Sequence, residues 1–240
     1  MGSVLFFSDV HLSVEEPGRT RLFHRFLEEV APRAGRVVCL GDLFDFWLGP
    51  RHADRPDFAE TFAALRRLRG HGVAVAFVPG NRDFQVGREF ERGLRIPVHG
   101  DGIDLSVDGI SVHGCHGDLL CTGDRRYQLY RRIVRSAPVR GLADAIPFGF
   151  TYHVARSMRA ASRREVAVKT QGEMAISTEA LGALVGAGAD VVVCGHVHRV
   201  GRFDVAGRGR TGSVFTLGDW QGAGRYLWYE SGRFEFREFA

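Results

Sequence analysis

Short apolar runs, each ending in a polar cluster, alternate along the chain with longer stretches of helical periodicity. Val4-Leu-Phe-Phe leads into Ser8-Asp9-Val10-His11. Three further runs of strand length have the same form: Arg36-Val-Val-Cys-Leu-Gly41-Asp42, Val73-Ala-Val-Ala-Phe-Val-Pro-Gly80-Asn81 and Asp190-Val-Val-Val-Cys-Gly-His196-Val-His198. Ile110-Ser-Val-His-Gly-Cys-His116-Gly-Asp118 is a fifth. If the extended chain continues one step past the sheet, Asp9 and His11 point the same way, because side chains two residues apart share a face. The polar ends of the five runs are therefore expected to converge.

Between the strands, Gly18 to Ala31 carries Leu22, Phe23, Phe26, Leu27 and Val30 at helical spacing, and Pro56 can open a second helix reaching about His71. A short helix is expected to start within Asp83 to Arg92. Asp108-Gly109 between alternating runs predicts a hairpin. Ser177 or Thr178 caps a helix that ends near Gly188. Runs near Val214–Leu217, Tyr226–Tyr229 and Phe234–Phe239 are expected to complete a second sheet. Strand and helix alternate at a spacing that argues for α/β layering.

Residues 122–170 differ from the rest. Arg125-Arg-Tyr-Gln-Leu-Tyr-Arg-Arg-Ile-Val-Arg and Val154-Ala-Arg-Ser-Met-Arg-Ala-Ala-Ser-Arg-Arg read as two amphipathic helices, joined by an apolar stretch broken at Pro147 and Gly149. We read 122–170 as a helical lid inserted into a core made of 1–121 and 171–240. The charge supports a separate character. From Gly123 to Thr170 there are eleven Arg or Lys against three Asp or Glu, in a chain whose net charge is only +4. No run of eighteen apolar residues and no secretory leader pattern is present, which places the expected location on the cytoplasmic side. Cys39, Cys115, Cys121 and Cys194 form no CxxC pair, and two lie inside strand runs, as buried thiols in a reducing compartment would.

The ordered set Asp9-x-His11, Gly41-Asp42, Gly80-Asn81-x-Asp83, His116-Gly-Asp118 and Gly195-His196-x-His198 resembles the calcineurin-like metallophosphoesterases. That resemblance implies an α/β fold of two mixed sheets forming a sandwich flanked by helices. A mixed oxygen and nitrogen donor set suits transition metals better than calcium. By that resemblance one divalent ion takes Asp9, His11 and His198, a second takes Asn81, His116 and His196, and Asp42 bridges them; both ions are expected to be Mn2+. Asp42, Asn81, Arg82 and His116 are the implied catalytic residues. His113 lies three residues before His116, but Gly117-Asp118 matches the family turn and favours His116. Asp83 and Asp118 are read as holding neighbouring groups in place, Asp45 could do either, and His24, His52, His71, His99 and His153 are read as surface or structural.

Residue 82 narrows the resemblance. Where many of these enzymes carry His, this chain has Arg, which cannot give up a proton near neutral pH but can hold a phosphate bidentately. Together with Gly41-Asp-Leu-Phe-Asp-Phe-Trp47, His116-Gly-Asp-Leu-Leu-Cys-Thr122, Tyr127-Gln128 and Arg156-Ser-Met-Arg-Ala160, this is similar to the UDP-2,3-diacylglucosamine diphosphatase branch. The branch implies a UDP-linked acylated glucosamine substrate met by Asn81, Arg82, Asp124, Tyr127, Arg159, Ser162, Arg163, Lys169 and His196. It also implies a monomer associated peripherally with the anionic inner-membrane surface, and no nucleic-acid partner. Gly123 and Ala161 stand where the branch often has Asp and Asn. Alternatives are a phosphodiesterase or pyrophosphatase for another nucleotide-linked substrate, a nuclease using the basic segment, or an inactive scaffold. The apolar Ile146, Pro147 and Met158 suit hydrocarbon better than stacked bases, and a scaffold would typically have lost ligands.

Overall fold

The structure is a computed structural model, and it describes residues 2–134, 136 and 175–240 apart from 48, 50, 51, 53, 54 and 88. Strand β1 (Val4–Phe7) is wholly buried and continues the all-apolar pattern of a strand covered on both faces. Helix α1 (Pro17–Glu29) follows, its start helped by proline in the first turn, and it buries Phe23, Phe26 and Leu27. Strand β2 (Arg36–Cys39), helix α2 (Pro56–Gly70) and β3 (Ala74–Phe77) complete two repeats of strand, helix and parallel strand. Both β1–β2 and β2–β3 pair in parallel, so all three strands end on the same side.

The second sheet begins with β4 (Ile103–Val107) and β5 (Ile110–Cys115), joined by Asp108-Gly109, both with positive φ as a two-residue hairpin turn requires. Helix α3 (Arg125–Val134) is the first of the two helices expected in 122–170; the remainder of that segment, 137–170, lies outside the described residues. Helix α4 (Thr178–Gly186) is capped by the Ser177 side chain, which accepts from the Ala180 N–H. Then come β6 (Val191–Cys194), β7 (Gly201–Gly207), β8 (Arg210–Thr216), β9 (Gly224–Glu230) and β10 (Arg233–Phe239).

The two five-stranded sheets have the orders β10-β9-β1-β2-β3 and β4-β5-β6-β8-β7. Three expectations change. The runs at 226–229 and 234–239 do not extend the second sheet; β9 pairs antiparallel with β1 and carries β10 to the edge of the first. Its side chains pack on both of that sheet's faces, Tyr226 and Trp228 with the α1 side, Leu227 and Tyr229 between the sheets. Strand β7 has no apolar run because it is an exposed edge, tied to β8 through the Arg208-Gly209 turn. The helix expected from Asp83 appears only at Glu89–Leu94, since the Asp83 carboxylate binds backbone amides around the strand ends and its loop stays irregular.

Leu5, Phe7, Val37, Cys39, Val75 and Phe77 face α1 and α2, whereas Val4, Phe6, Val38, Leu40, Ala76 and Val78 meet the second sheet. This alternation buries both faces of the central strands and leaves only their C-terminal ends open to polar chemistry.

Candidate metal centre

The ends of β1, β2, β3, β5 and β6 deliver every residue expected to hold a metal to one place. The geometry differs from a simple continuation of strand pleat. Asp9, His11, Asp42, His196 and His198 all have left-handed backbone, with φ of 55°, 53°, 53°, 69° and 55°. Five of the seven ligand candidates share this conformation, which only a few per cent of non-glycine residues adopt, and Asp and His are among the side chains that tolerate it best. Strain of this kind gathers at functional sites. The turns are stitched together by backbone bonds: the Asp9 N–H donates to Gly41 O at 3.0 Å, the His11 N–H to Asp42 O at 2.9 Å and the Gly195 N–H to His116 O at 2.9 Å.

Asp83 organises the two carboxyl-side loops. Its Oδ1 accepts from the Gly80 and Asp42 N–H groups at 2.7 and 3.2 Å, and its Oδ2 accepts from Leu43 and Phe44 at 2.8 and 3.4 Å. Burial and the nearby Asp42 carboxylate push Asp83 up to about 7, while its amide donors pull the other way. Glycines permit the crowding. A Cβ on Gly80 would fall onto the Asp42 carboxylate, and one on Gly195 would fall onto Ser8 Oγ and Asp9 Oδ2.

Asp9 and Asp42 are both buried. Asp9 Oδ2 accepts from Ser8 Oγ at 2.5 Å and from the His196 N–H at 3.0 Å, which leaves Oδ1 facing His198 Nε2 at 3.2 Å and His11 Nε2 at 3.9 Å. Asp42 Oδ2 lies 3.8 Å from His11 Nδ1, and its Oδ1 lies 3.7 Å from His116 Nε2. Asn81 Oδ1 sits 2.8 Å from His116 Nε2 and 3.2 Å from His196 Nδ1. His116 Nδ1 donates to Leu40 O at 2.9 Å, an arrangement that turns Nε2 into the site.

The charges are strongly coupled. Burial would raise Asp9, yet His198, His116 and His11 hold its carboxyl well below the usual range. Burial, reinforced by the Asp9 charge, raises Asp42. Burial opposes a charged His116, but Asp42 and Asp9 outweigh it and lift the ring to about 9. Burial and the proximity of His116 depress His196 to about 4. Opposing shifts of this kind gather where buried titratable groups crowd together, as they do at functional sites.

A divalent metal fits. The ligand atoms of Asp9, His11 and His198 all lie within 4.8 Å of one another, as do those of Asp9, Asp42 and His116. His11 Nε2 and His198 Nε2 face each other at 3.3 Å, and the buried Asp9 Oδ1 has no well-directed hydrogen bond. Converging imidazole and carboxylate donors at this spacing suit a borderline transition metal. Asp42 is placed between the two groups, with one carboxylate oxygen toward each, and Asp9 contributes to both.

Other expected residues have different surroundings. Arg82 lies at the rim, 28% exposed, with Nε 3.2 Å from Asp42 Oδ2 and one terminal nitrogen 3.3 Å from Asp45 Oδ1. Asp124 Oδ1 accepts from the Tyr127 N–H at the start of α3, and the Tyr127 hydroxyl donates to Asp118, 2.5 Å away. Asp118 also pairs with Arg131 Nε at 2.8 Å, so it anchors α3 to the core. His113 is on the outer side of β5 against Asp104. His52 is not on the surface: it is buried and stacked on Trp47. Arg159, Ser162, Arg163 and Lys169 lie outside the described residues. Sequence reasoning missed Ser8 and Asp219, the latter 3.6 Å from His198 Nδ1; Leu217-Gly218-Asp219 repeats the form of Leu40-Gly41-Asp42 and could have been found by it.

Comparison with known proteins identifies the family. The chain is 37% identical over 231 residues to the UDP-2,3-diacylglucosamine hydrolase of Aeromonas salmonicida, covering 94% of this chain and 89% of that one. It is 37% identical to the protein of that name from Neisseria meningitidis serogroup B, over 92% and 90% of the two chains. It is 32% identical to the one from Serratia proteamaculans, over 99% of each. The family model described as "Calcineurin-like phosphoesterase" matches residues 2–200, a span that holds all seven metal-ligand candidates, and the chain belongs to that family.

Proposed function

We propose that the protein hydrolyses the diphosphate of UDP-2,3-diacylglucosamine to UMP and 2,3-diacylglucosamine 1-phosphate, lipid X, in lipid A biosynthesis. The convergence of Asp9, His11, Asp42, Asn81, His116, His196 and His198 on one buried-to-rim centre carries the reading. Near-full-length similarity to hydrolases of that substrate supports the choice within the family.

Asp9, His11 and His198 would hold one divalent ion and Asn81, His116 and His196 the other, with Asp42 between them; Mn2+ is our choice of metal. Two such ions supply a clamp on phosphate oxygens and a water of lowered pKa. Water attacks the α-phosphorus, the bond from that phosphorus to the bridging oxygen breaks, and the acylated sugar phosphate leaves. Arg82 holds the diphosphate. Its planar fork is oriented by Asp42 and Asp45, and it suits charge neutralisation of a phosphate leaving group rather than proton delivery. Leu40 O, through His116 Nδ1, keeps the His116 ring aimed at Asn81 and Asp42.

Residues 122–170 would form the lid over the two acyl chains, with Asp124, Tyr127, Arg159, Ser162, Arg163 and Lys169 toward the substrate. The protein would act as a monomer, peripherally on the cytoplasmic face of the inner membrane, where the basic segment meets anionic lipid. Among the described residues no helix is long and apolar enough to cross a membrane. The test is UMP release from UDP-2,3-diacylglucosamine, UDP-glucosamine and a simple phosphodiester, with and without Mn2+. Metal-dependent preference for the diacylated substrate is expected. Equal turnover of UDP-glucosamine would reduce the assignment to a general nucleotide-diphosphate hydrolase.

A further inference from the structure

We infer that Asp219 is the positioning residue for His198, holding the ring so that Nε2 rather than Nδ1 serves the metal centre; the inference rests on the two-ion reading above. The two ring nitrogens of His198 face opposite carboxylates. Nε2 looks into the centre, 3.2 Å from Asp9 Oδ1 and 3.3 Å from His11 Nε2, and Nδ1 looks away toward Asp219 Oδ2 at 3.6 Å. A carboxylate behind a ligating imidazole selects the Nδ1–H tautomer and makes the other nitrogen a better donor. The 3.6 Å separation exceeds a direct hydrogen bond, so the present contact is electrostatic and orienting.

Asp219 is itself held from three sides. Its other oxygen, Oδ1, lies 3.6 Å from an Arg225 terminal nitrogen on β9, and the same nitrogen donates to Asp219 O at 3.3 Å. Arg225 Nε is engaged by Glu238 at 2.8 Å, so β9 and β10 fix the guanidinium before it reaches Asp219. On the preceding side, the Leu217 N–H donates to Cys194 O at 2.7 Å, joining the loop to the strand that launches His196 and His198. On the following side, Trp220 is buried among Phe7, Phe23 and Phe26 at ring distances of 6.0, 5.5 and 5.0 Å. A carboxylate so tethered is rigid, whereas His198 sits on an irregular loop and its side chain is 34% exposed. His198 thus has a fixed carboxylate behind it, as His116 has the Leu40 carbonyl.

The test uses full-length protein freed of metal, then titrated calorimetrically with Mn2+. Wild type should bind two ions. Asp219→Asn, isosteric but uncharged, should weaken one of the two about 10- to 100-fold, the range seen when a ligand's outer partner is removed. The other ion should bind as before, the melting temperature should hold, and Asp219→Glu should recover part of the affinity. In wild-type protein loaded with diamagnetic Zn2+ and carrying 15N-labelled histidine, His198 should show a protonated Nδ1 and a metal-bound Nε2. Coordination through Nδ1, or two wild-type affinities in Asp219→Asn, or equal weakening of both ions, would overturn the inference. Failure of wild type to bind a second ion would instead overturn the two-ion reading on which it rests.

Discussion

Gly80→Ala gives the sharpest test of how tightly the centre is packed. The added Cβ would lie 2.5 Å from Asp42 N and closer still to the Asp42 carboxylate, where ordinary contact needs about 3.4 Å. Both neighbours are rigid: the Asp42 N–H is bound to Asp83, and its carboxylate accepts from the Arg82 N–H at 2.9 Å. The 80–83 loop or Asp42 must therefore shift by roughly 1 Å, a displacement that can cost about 100-fold in rate when it touches reacting groups. Overpacking of a tight site costs typically about 1–3 kcal/mol, so the fold should survive. Turnover of the diphosphate substrate, Mn2+ stoichiometry and thermal melting would be measured together. A folded variant with near-absent turnover and weakened metal binding is expected. Wild-type turnover and metal affinity would refute the argument that Gly80 is required by the approach of Asp42.

Asp42→Ala should abolish hydrolysis more completely than alanine at any single histidine of the centre, because it removes the carboxylate set between both groups; metal content and turnover decide it. Arg82→Lys should keep both ions yet slow hydrolysis, since the ammonium cannot reproduce the planar fork, and unchanged kinetics would dismiss the phosphate-holding role. His52 makes stability depend on pH. Burial, with a smaller contribution from Arg55, depresses it to about 4 in the folded chain against 6.5 for the free side chain. A depressed histidine favours folding above pH 6.5 and loses that advantage as pH falls toward 4. The loss is on the order of 3 kcal/mol at about 1.4 kcal/mol per unit. Denaturant melts of wild type and His52→Phe at pH 7.5 and 4.5 should show the larger acid loss in wild type. Phe148→Ser with Phe150→Ser should raise KM for the diacylated substrate while sparing a small phosphodiester; a merely lower melting temperature would count against an acyl-covering lid.

The strands that carry the centre, the helices α1, α2 and α4, and the Asp108-Gly109 hairpin could be read from the chain, because burial on both faces of a central strand demands a continuous apolar run and a helix stripe has its own period. The seven ligand candidates were legible for the same reason: each lies at or just beyond the polar end of such a run. Strand β7 and the sheet joined by β9 and β10 were not, since an exposed edge has no compulsory pattern and a strand's sequence does not name its partner. The order of residues also could not reveal that Asp9, His11, Asp42, His196 and His198 reach the centre through left-handed turns, nor that Asp83 gathers amides from two loops. The contact between Asp219 and His198 belongs to the same class. It exists only because β9 crosses back to β1 and buries Trp220 under α1, and that packing sets a carboxylate behind a ring twenty-one residues away in sequence.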